Sequence, residues 1–179
     1  MPEIRLRPLT DADVPVLARW AEDDVFRLAA DWSDGTLAEH EAVFRHNIAN
    51  PPAELLRLAA VHDGRLVGYI DLHGSAPRVR ELGYLIGPSA AWGRGLGTAV
   101  ARAGLAYGFA EVALAKIWAE ALDANAASVR ILQRLGMRET GRGQDATYRG
   151  EPTHYRQFII TAEEFFEQQG GKQRPSDRR

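Results

Sequence analysis

Apolar and polar positions alternate from Ile4 to Pro8, a spacing that predicts a short strand stopped by proline. Thr10 follows as an N-cap with Asp13 three residues on, and Val14, Leu17 and Ala21 continue a helical stripe. Thr36 with Glu39 repeats that signal. Leu37, His40, Phe44 and Ile48 give this second helix its apolar face, and Pro51-Pro52 ends it. From Leu55 the period falls to two. Leu56 to Val61 predicts a strand, Asp63-Gly64 a hairpin turn, and Leu66 to Leu72 the returning strand. A turn over Gly74 to Pro77 leads to a third strand, Glu81 to Ile86, which completes an antiparallel meander. Beyond Gly87-Pro88 the pattern turns helical, with Leu96, Val100, Ala103 and Tyr107 on one face. Ile117 to Leu122 is the next strand. The helix before it has the length of a crossover, so this strand should run parallel to the third. Ala126 to Leu135 predicts another helix, with Gly136 where a left-handed C′ residue belongs. Arg156 to Thr161 is a late strand and Ala162 to Gln169 a terminal helix. The order reads β–α–α–β–β–β–α–β–α–β–β, with two strands allowed at its end where one is located and the last helix left out, a mixed α/β fold.

With 179 residues, 45% hydrophobic and 26% charged, the chain has the size and balance of one folded domain. Its expected extent is residues 1–169. Residues 170–179 are polar and basic, and are expected to be a disordered tail. Lys and Arg number 22 against 24 Asp and Glu, a net charge of −2 that speaks against nucleic-acid or anionic-membrane binding. There is no cysteine, which excludes disulfides, thiolate-held metals and thiol nucleophiles. His40, His46, His62, His73 and His154 fall at no metal-ligand spacing, and no metal is expected. The opening MPEIRLRPLTDADV lacks the apolar core of a signal peptide, and no apolar run is long enough to span a bilayer. The expected location is cytoplasmic.

Candidate chemistry begins at Trp92-Gly93-Arg94-Gly95-Leu96-Gly97-Thr98, between a strand end and a helix start. Glycines there let main chain approach a ligand, and free N–H groups in a helix's first turn attract phosphate oxygens. Arg94 adds a phosphate donor. A tight strand-to-helix turn explains the glycines equally well. A Walker A loop would need a lysine before Thr98, and a Rossmann fingerprint a third glycine at Thr98. Glu120 lies at a suitable distance for a ribose acid, but this loop follows an antiparallel meander rather than the first strand of a parallel sheet.

These residues resemble the GCN5-related N-acetyltransferase (GNAT) superfamily, in its RimJ/RimL-type branch. The pyrophosphate loop of that family has the form Gln/Arg-x-x-Gly-x-Gly/Ala. Trp92-Gly93-Arg94-Gly95-Leu96-Gly97 matches it, with Trp in the first position as in that branch. A second block, Asn125-Ala-Ala-Ser128-Val-Arg-Ile-Leu132-Gln-Arg-Leu135-Gly136-Met137, resembles the family's Asn-x-x-Ser-x-x-x-Leu-x-x-Leu-Gly-Phe/Met. Leu6-Arg7-Pro8-Leu9-Thr10 and the element order also match, and the likeness covers roughly residues 4–165. It implies a central, mostly antiparallel sheet of six to seven strands, splayed in the middle and flanked by about four helices.

The resemblance also implies acetyl-CoA as acetyl donor. Main-chain N–H groups of Arg94, Gly95, Leu96, Gly97, Thr98 and Ala99 would hold its pyrophosphate, and the backbone of Leu85 and Ile86 would pair with the pantetheine arm. Asn125 would hydrogen-bond the cofactor, and Arg130 or Arg134 would reach the 3′-phosphate. Both arginines also suit a solvated helix face. Transfer of an acetyl group to a primary amine needs a neutral nitrogen, an oxyanion donor and a thiolate leaving group. The family pattern points to Glu81 as general base with Asp71 in reserve, and to Ser128 as the hydroxyl near the sulfur. Many family members place a tyrosine where Leu132 stands. Glu81 reads equally as a solvated strand-end carboxylate, and Ser128 as a local backbone partner.

The acceptor is written mainly in the first two helices, where Asp11, Asp13, Glu22, Asp23, Asp24, Asp31, Asp34, Glu39 and Glu41 face only Arg19 and Arg27. Such a stretch suits a protein N-terminus, a polyamine or an aminoglycoside, and it suits ordinary solvated helix faces as well. Trp20, Phe26 and Trp32 are either core or acceptor-cleft residues. The expected enzyme is an acetyl-CoA-dependent N-acetyltransferase, monomeric or homodimeric. Its rivals are a non-catalytic CoA-binding sensor and an NAD(P)-binding oxidoreductase.

Overall fold

A computed structural model describes residues 1–170. The expected tail lies outside these residues except for Gly170, which closes the last helix. β1 (Arg5–Pro8) leads through a single 3-10 turn into α1 (Val14–Trp20). At that entry the Asp13 carboxylate accepts from the Thr10 N–H at 2.9 Å and from Arg7 at 2.6 and 2.7 Å, which closes the N-terminus of the helical segment. α2 (Asp24–Ala29) and α3 (Leu37–Ala49) follow, and Thr36 with Glu39 forms the expected capping box of α3.

β2 (Leu55–His62), β3 (Arg65–His73) and β4 (Val79–Ile86) make the antiparallel meander. Asp63 and Gly64 take φ of 48° and 74°, the left-handed pair that a two-residue hairpin turn requires. α4 (Leu96–Ala110) crosses to β5 (Lys116–Leu122), which pairs with β4 in parallel. α5 (Ala126–Arg134), the hairpin of β6 (Arg138–Tyr148) and β7 (Glu151–Thr161), and α6 (Ala162–Gly170) complete the described chain. The sheet order is β1-β2-β3-β4-β5-β7-β6, antiparallel at every pair but β4–β5.

Two apolar clusters hold the layers together. One face of the sheet carries Leu58, Ile70, Leu72, Leu82, Ile117, Phe158 and Ile160 against Val100 and Leu105 of α4, Leu132 of α5 with Leu135 just beyond its end, and Phe165 of α6. The other face is covered only in part. Val14, Leu17, Trp20, Phe26 and Phe44 of α1 to α3 pack on Tyr69, with Leu66 and Leu85 beside it. No described helix is long and apolar enough to cross a membrane.

Six helices are described where the resemblance implied about four and the sequence pattern located five. The extra one between the two capped helices is α2, six residues long and too short to show a period. Its signal was the Asp23 carboxylate, which accepts from the Phe26 N–H at 3.2 Å. The late hairpin is longer than the apolar run Arg156 to Thr161 suggests. β6 is an edge strand, mostly exposed and rich in charge and glycine, so it has no alternation to read.

Candidate active site

β4 and β5 are paired only at their start, Val79 with Lys116, Arg80 with Ile117 and Glu81 with Trp118. Beyond that point they diverge. The Gly87 N–H donates to the Val67 carbonyl at 3.2 Å, and the Ala115 and Lys116 N–H groups donate to the Arg78 carbonyl at 2.9 and 3.3 Å. Main-chain groups alternate along a strand, so Glu81, Gly83 and Leu85 turn theirs toward β3, while Leu82, Tyr84 and Ile86 turn theirs toward β5. The opening is therefore lined by the backbone of Tyr84 and Ile86. Leu85, expected to share that edge, instead faces Tyr69 of β3.

The end of β4 runs into the glycine loop. The Trp92 indole donates to the Ile86 carbonyl at 2.8 Å, which ties the loop to the mouth of the opening. Gly93 and Gly95 adopt φ of 76° and 80°, conformations that a side chain resists, and a Cβ on Gly93 would meet nothing within 4 Å. The loop is thus bent by its glycines and open on its outer side. Gly97 serves differently: a Cβ there would come 2.7 Å from Ile131 Cδ1, so its small size lets α5 lie against the start of α4. The free helix donors are those of Leu96, Gly97 and Thr98. The Ala99 N–H, expected among them, donates to the Gly95 carbonyl at 3.1 Å and is used within the helix. Arg94 is exposed in the loop, and Arg130 and Arg134 are exposed one turn apart on α5.

α5 closes the third side. Asn125 caps it, its Oδ1 accepting from the Ser128 N–H at 3.2 Å, which leaves the amide NH₂ of Asn125 for a ligand. The Ser128 carbonyl accepts from the Tyr84 hydroxyl at 3.4 Å. Burial pushes the Tyr84 phenol up to about 12. Leu132 is fully buried in the core.

Glu81 lies on the opposite face of β4, half-buried at the point where the strands part. Burial raises its carboxyl above the ordinary glutamate range, and the Glu120 carboxylate raises it further, with Asp71 adding and His73 opposing. Glu120 is held by Gln157 Nε2 at 2.6 Å. Asp71 is engaged by Arg57 through two bonds, 2.7 and 2.6 Å, which leaves Glu81 the freer carboxylate. The sequence reading missed Glu120 and Tyr84 in these roles. Glu120 could have been found from the parallel pairing of Glu81 with Trp118, two residues earlier, and Tyr84 from its even position on β4.

Trp20 and Phe26 belong to the core cluster, whereas Trp32 lines a cavity of about 360 Å³ with Arg27, Asp31, Arg149 and Tyr155. Among the described residues, no group of three or more His, Asp or Glu side chains is placed to hold a metal ion.

The model of the acetyltransferase (GNAT) domain matches residues 3–138, a span that takes in the glycine loop and the parted β4–β5 pair. The chain belongs to the GNAT acetyltransferase family. The GNAT fold extends over nearly all of the described residues. A GNAT acetyltransferase from Bacillus anthracis superposes with a TM-score of 0.75 at 22% identity, covering 90% of this chain and 96% of that one. The spermidine N-acetyltransferase of Vibrio cholerae, solved with CoA and spermine, does so with a TM-score of 0.77 at 18% identity, covering 92% and 98%. In sequence, the mycothiol acetyltransferase of Nocardia farcinica is 41% identical over 90 residues. That match takes in 49% of this chain and 27% of the relative, so the chain spans about a quarter of the curated protein it matches.

Proposed function

We propose that this GNAT protein transfers the acetyl group of acetyl-CoA to a primary amine by direct attack, with residues 1–169 acting as one acetyltransferase domain. The observation that carries the reading is the conjunction at the end of β4, where an unpaired strand edge meets free helix donors and a half-buried carboxylate. The N–H groups of Leu96, Gly97 and Thr98 suit a pyrophosphate, and Arg94 adds charge to it. An extended amide-bearing arm suits the Tyr84–Ile86 edge, as an added strand would.

Chemistry follows from the two faces of the opening. The amine arrives on the Glu81 face. Alkylamines near pKa 10 are mostly protonated at neutral pH, so Glu81, directly or through one water, takes the proton. The nitrogen lone pair then forms the N–C bond at the thioester carbonyl, the outward N–H of Ile86 stabilises the oxygen, and the C–S bond breaks with its electrons on sulfur. The nitrogen sheds its second proton to water as the intermediate collapses, and the thiolate collects one from solvent, directly or relayed through the Ser128 hydroxyl, so that one proton in all is released.

Trp92 and Ser128 ally the chain with the RimJ/RimL-type branch, whose acceptors are protein N-termini. Small amines such as a polyamine or an aminoglycoside compete as acceptors, and polyamine and mycothiol enzymes stand among the similar proteins. We place the protein in the cytoplasm as a monomer or homodimer, although one solved form of the Vibrio enzyme is a dodecamer.

Thermal melts with acetyl-CoA, CoA and NADP test the donor. Acetyl-CoA at about a hundred times its Kd adds roughly 2.7 kcal/mol, a shift of several degrees. Thiol release over a panel of peptides and small amines then tests the acceptor. Stabilisation by NADP alone would overturn the reading, and CoA binding with no thiol release on any amine would leave only a sensor.

A further inference from the structure

The Tyr84 hydroxyl, which reaches from β4 to the first turn of α5, is a polar group that the proposed chemistry leaves unused. We propose that the Tyr84 hydroxyl is the donor that stabilises the leaving sulfur, a role that α5 cannot fill from position 132. The inference rests on the acetyltransferase reading above.

Geometry supports it from three sides. Tyr84 is on the α5 side of β4, since Leu82, two residues before it, packs into the cluster beneath α4 and α5. Its ring crosses from the strand to the first turn of α5, and its hydroxyl ends beside Ser128. That turn, the Tyr84–Ile86 edge and the glycine loop are the three walls of the opening. Leu132, one turn further along α5 on the same side as Ser128, has no exposed surface and no polar atom to offer.

The hydroxyl is also free to change partner. Its one hydrogen bond among the described residues, to the Ser128 carbonyl, is 3.4 Å long, near the limit for such a bond. A thiolate brought between β4 and α5 is a stronger acceptor than this carbonyl. Burial keeps the phenol protonated across the physiological range, so it acts as a hydrogen-bond donor to sulfur and not as the source of the proton that sulfur finally takes. No covalent bond to Tyr84 forms or breaks.

Tyr84→Phe removes this donor and leaves the ring in place. The deciding measurement compares the affinities of CoA and desulfo-CoA, which lacks only the thiol, at about pH 9, above the thiol's ordinary value near 8.5. The wild type should prefer CoA severalfold. The variant should lose that preference while binding desulfo-CoA as the wild type does, and kcat for acetyl transfer should fall by about 10- to 100-fold, the worth of one hydrogen bond to a charged group. A variant that keeps the preference for CoA overturns the proposal. Equal weakening of CoA and desulfo-CoA overturns it too, because that is the mark of a purely structural side chain. If the wild type acetylates amines and Tyr84→Phe does so undiminished, Tyr84 alone is excluded and the acetyltransferase reading stands. If the wild type binds neither CoA nor desulfo-CoA, both fail together.

Discussion

On the proposed reading Glu81 meets two demands at once. As a base it must be ionised, yet burial and the neighbouring Glu120 both favour its protonated form. The rate should therefore rise with pH along a limb lying above the ordinary glutamate range. Glu120→Gln should move that limb to lower pH by removing a like charge, and Glu81→Gln should lower kcat/KM at neutral pH by about 100-fold. Profiles of kcat/KM against pH for the three proteins decide this. Stability carries the opposite sign. A carboxyl whose value is raised on folding gives stability that is present below the unfolded value and is lost as pH rises through the folded one. The wild type should thus lose melting temperature across that window, and Glu81→Gln should not.

At the scale of elements, α5 depends on its first residue. Asn125→Ala removes the Oδ1 that satisfies the Ser128 N–H and should cost about 1 kcal/mol, or some 2–4 °C of melting temperature, while Asn125→Asp should hold it. A melt of the three proteins without ligand checks this. The extent of α5 was legible in the sequence, although Asn125 was read there only as a cofactor contact; so were the Thr36–Glu39 box, the Asp63-Gly64 hairpin and the parallel run of β5, because each is written in adjacent residues or in a single connection length. α2 and β6 were not. The first is shorter than two helical turns, and the second is a mostly exposed edge strand with no apolar face to impose a period.

Across the whole molecule, the two sides of the sheet meet at the segment between β4 and α4. Asp23, which caps α2, also accepts from the Ser89 N–H at 2.8 Å, and a Cβ on Gly87 would lie 2.5 Å from the Trp20 ring. The helices over the face proposed for the acceptor therefore brace the loop proposed to hold the donor. Asp23→Ala should raise KM for acetyl-CoA severalfold with kcat little changed, as steady-state kinetics would show; Asp23→Asn, which keeps a side-chain cap on α2, separates lost bracing from lost helix. Contacts of this kind explain why the site was only partly readable. The glycine loop is a local motif, whereas the outward turn of Ile86, the inward turn of Leu85 and the nearness of Glu120 to Glu81 depend on strands far apart in sequence.

The parting of β4 from β5 reaches beyond catalysis. On the proposed reading, folding stops one strand short, and the missing strand is a metabolite. A protease samples whatever a protein transiently exposes, so filling the gap should slow digestion in proportion to how much ligand is present. The supply of acetyl-CoA would then help set how long each molecule survives as well as how fast it works.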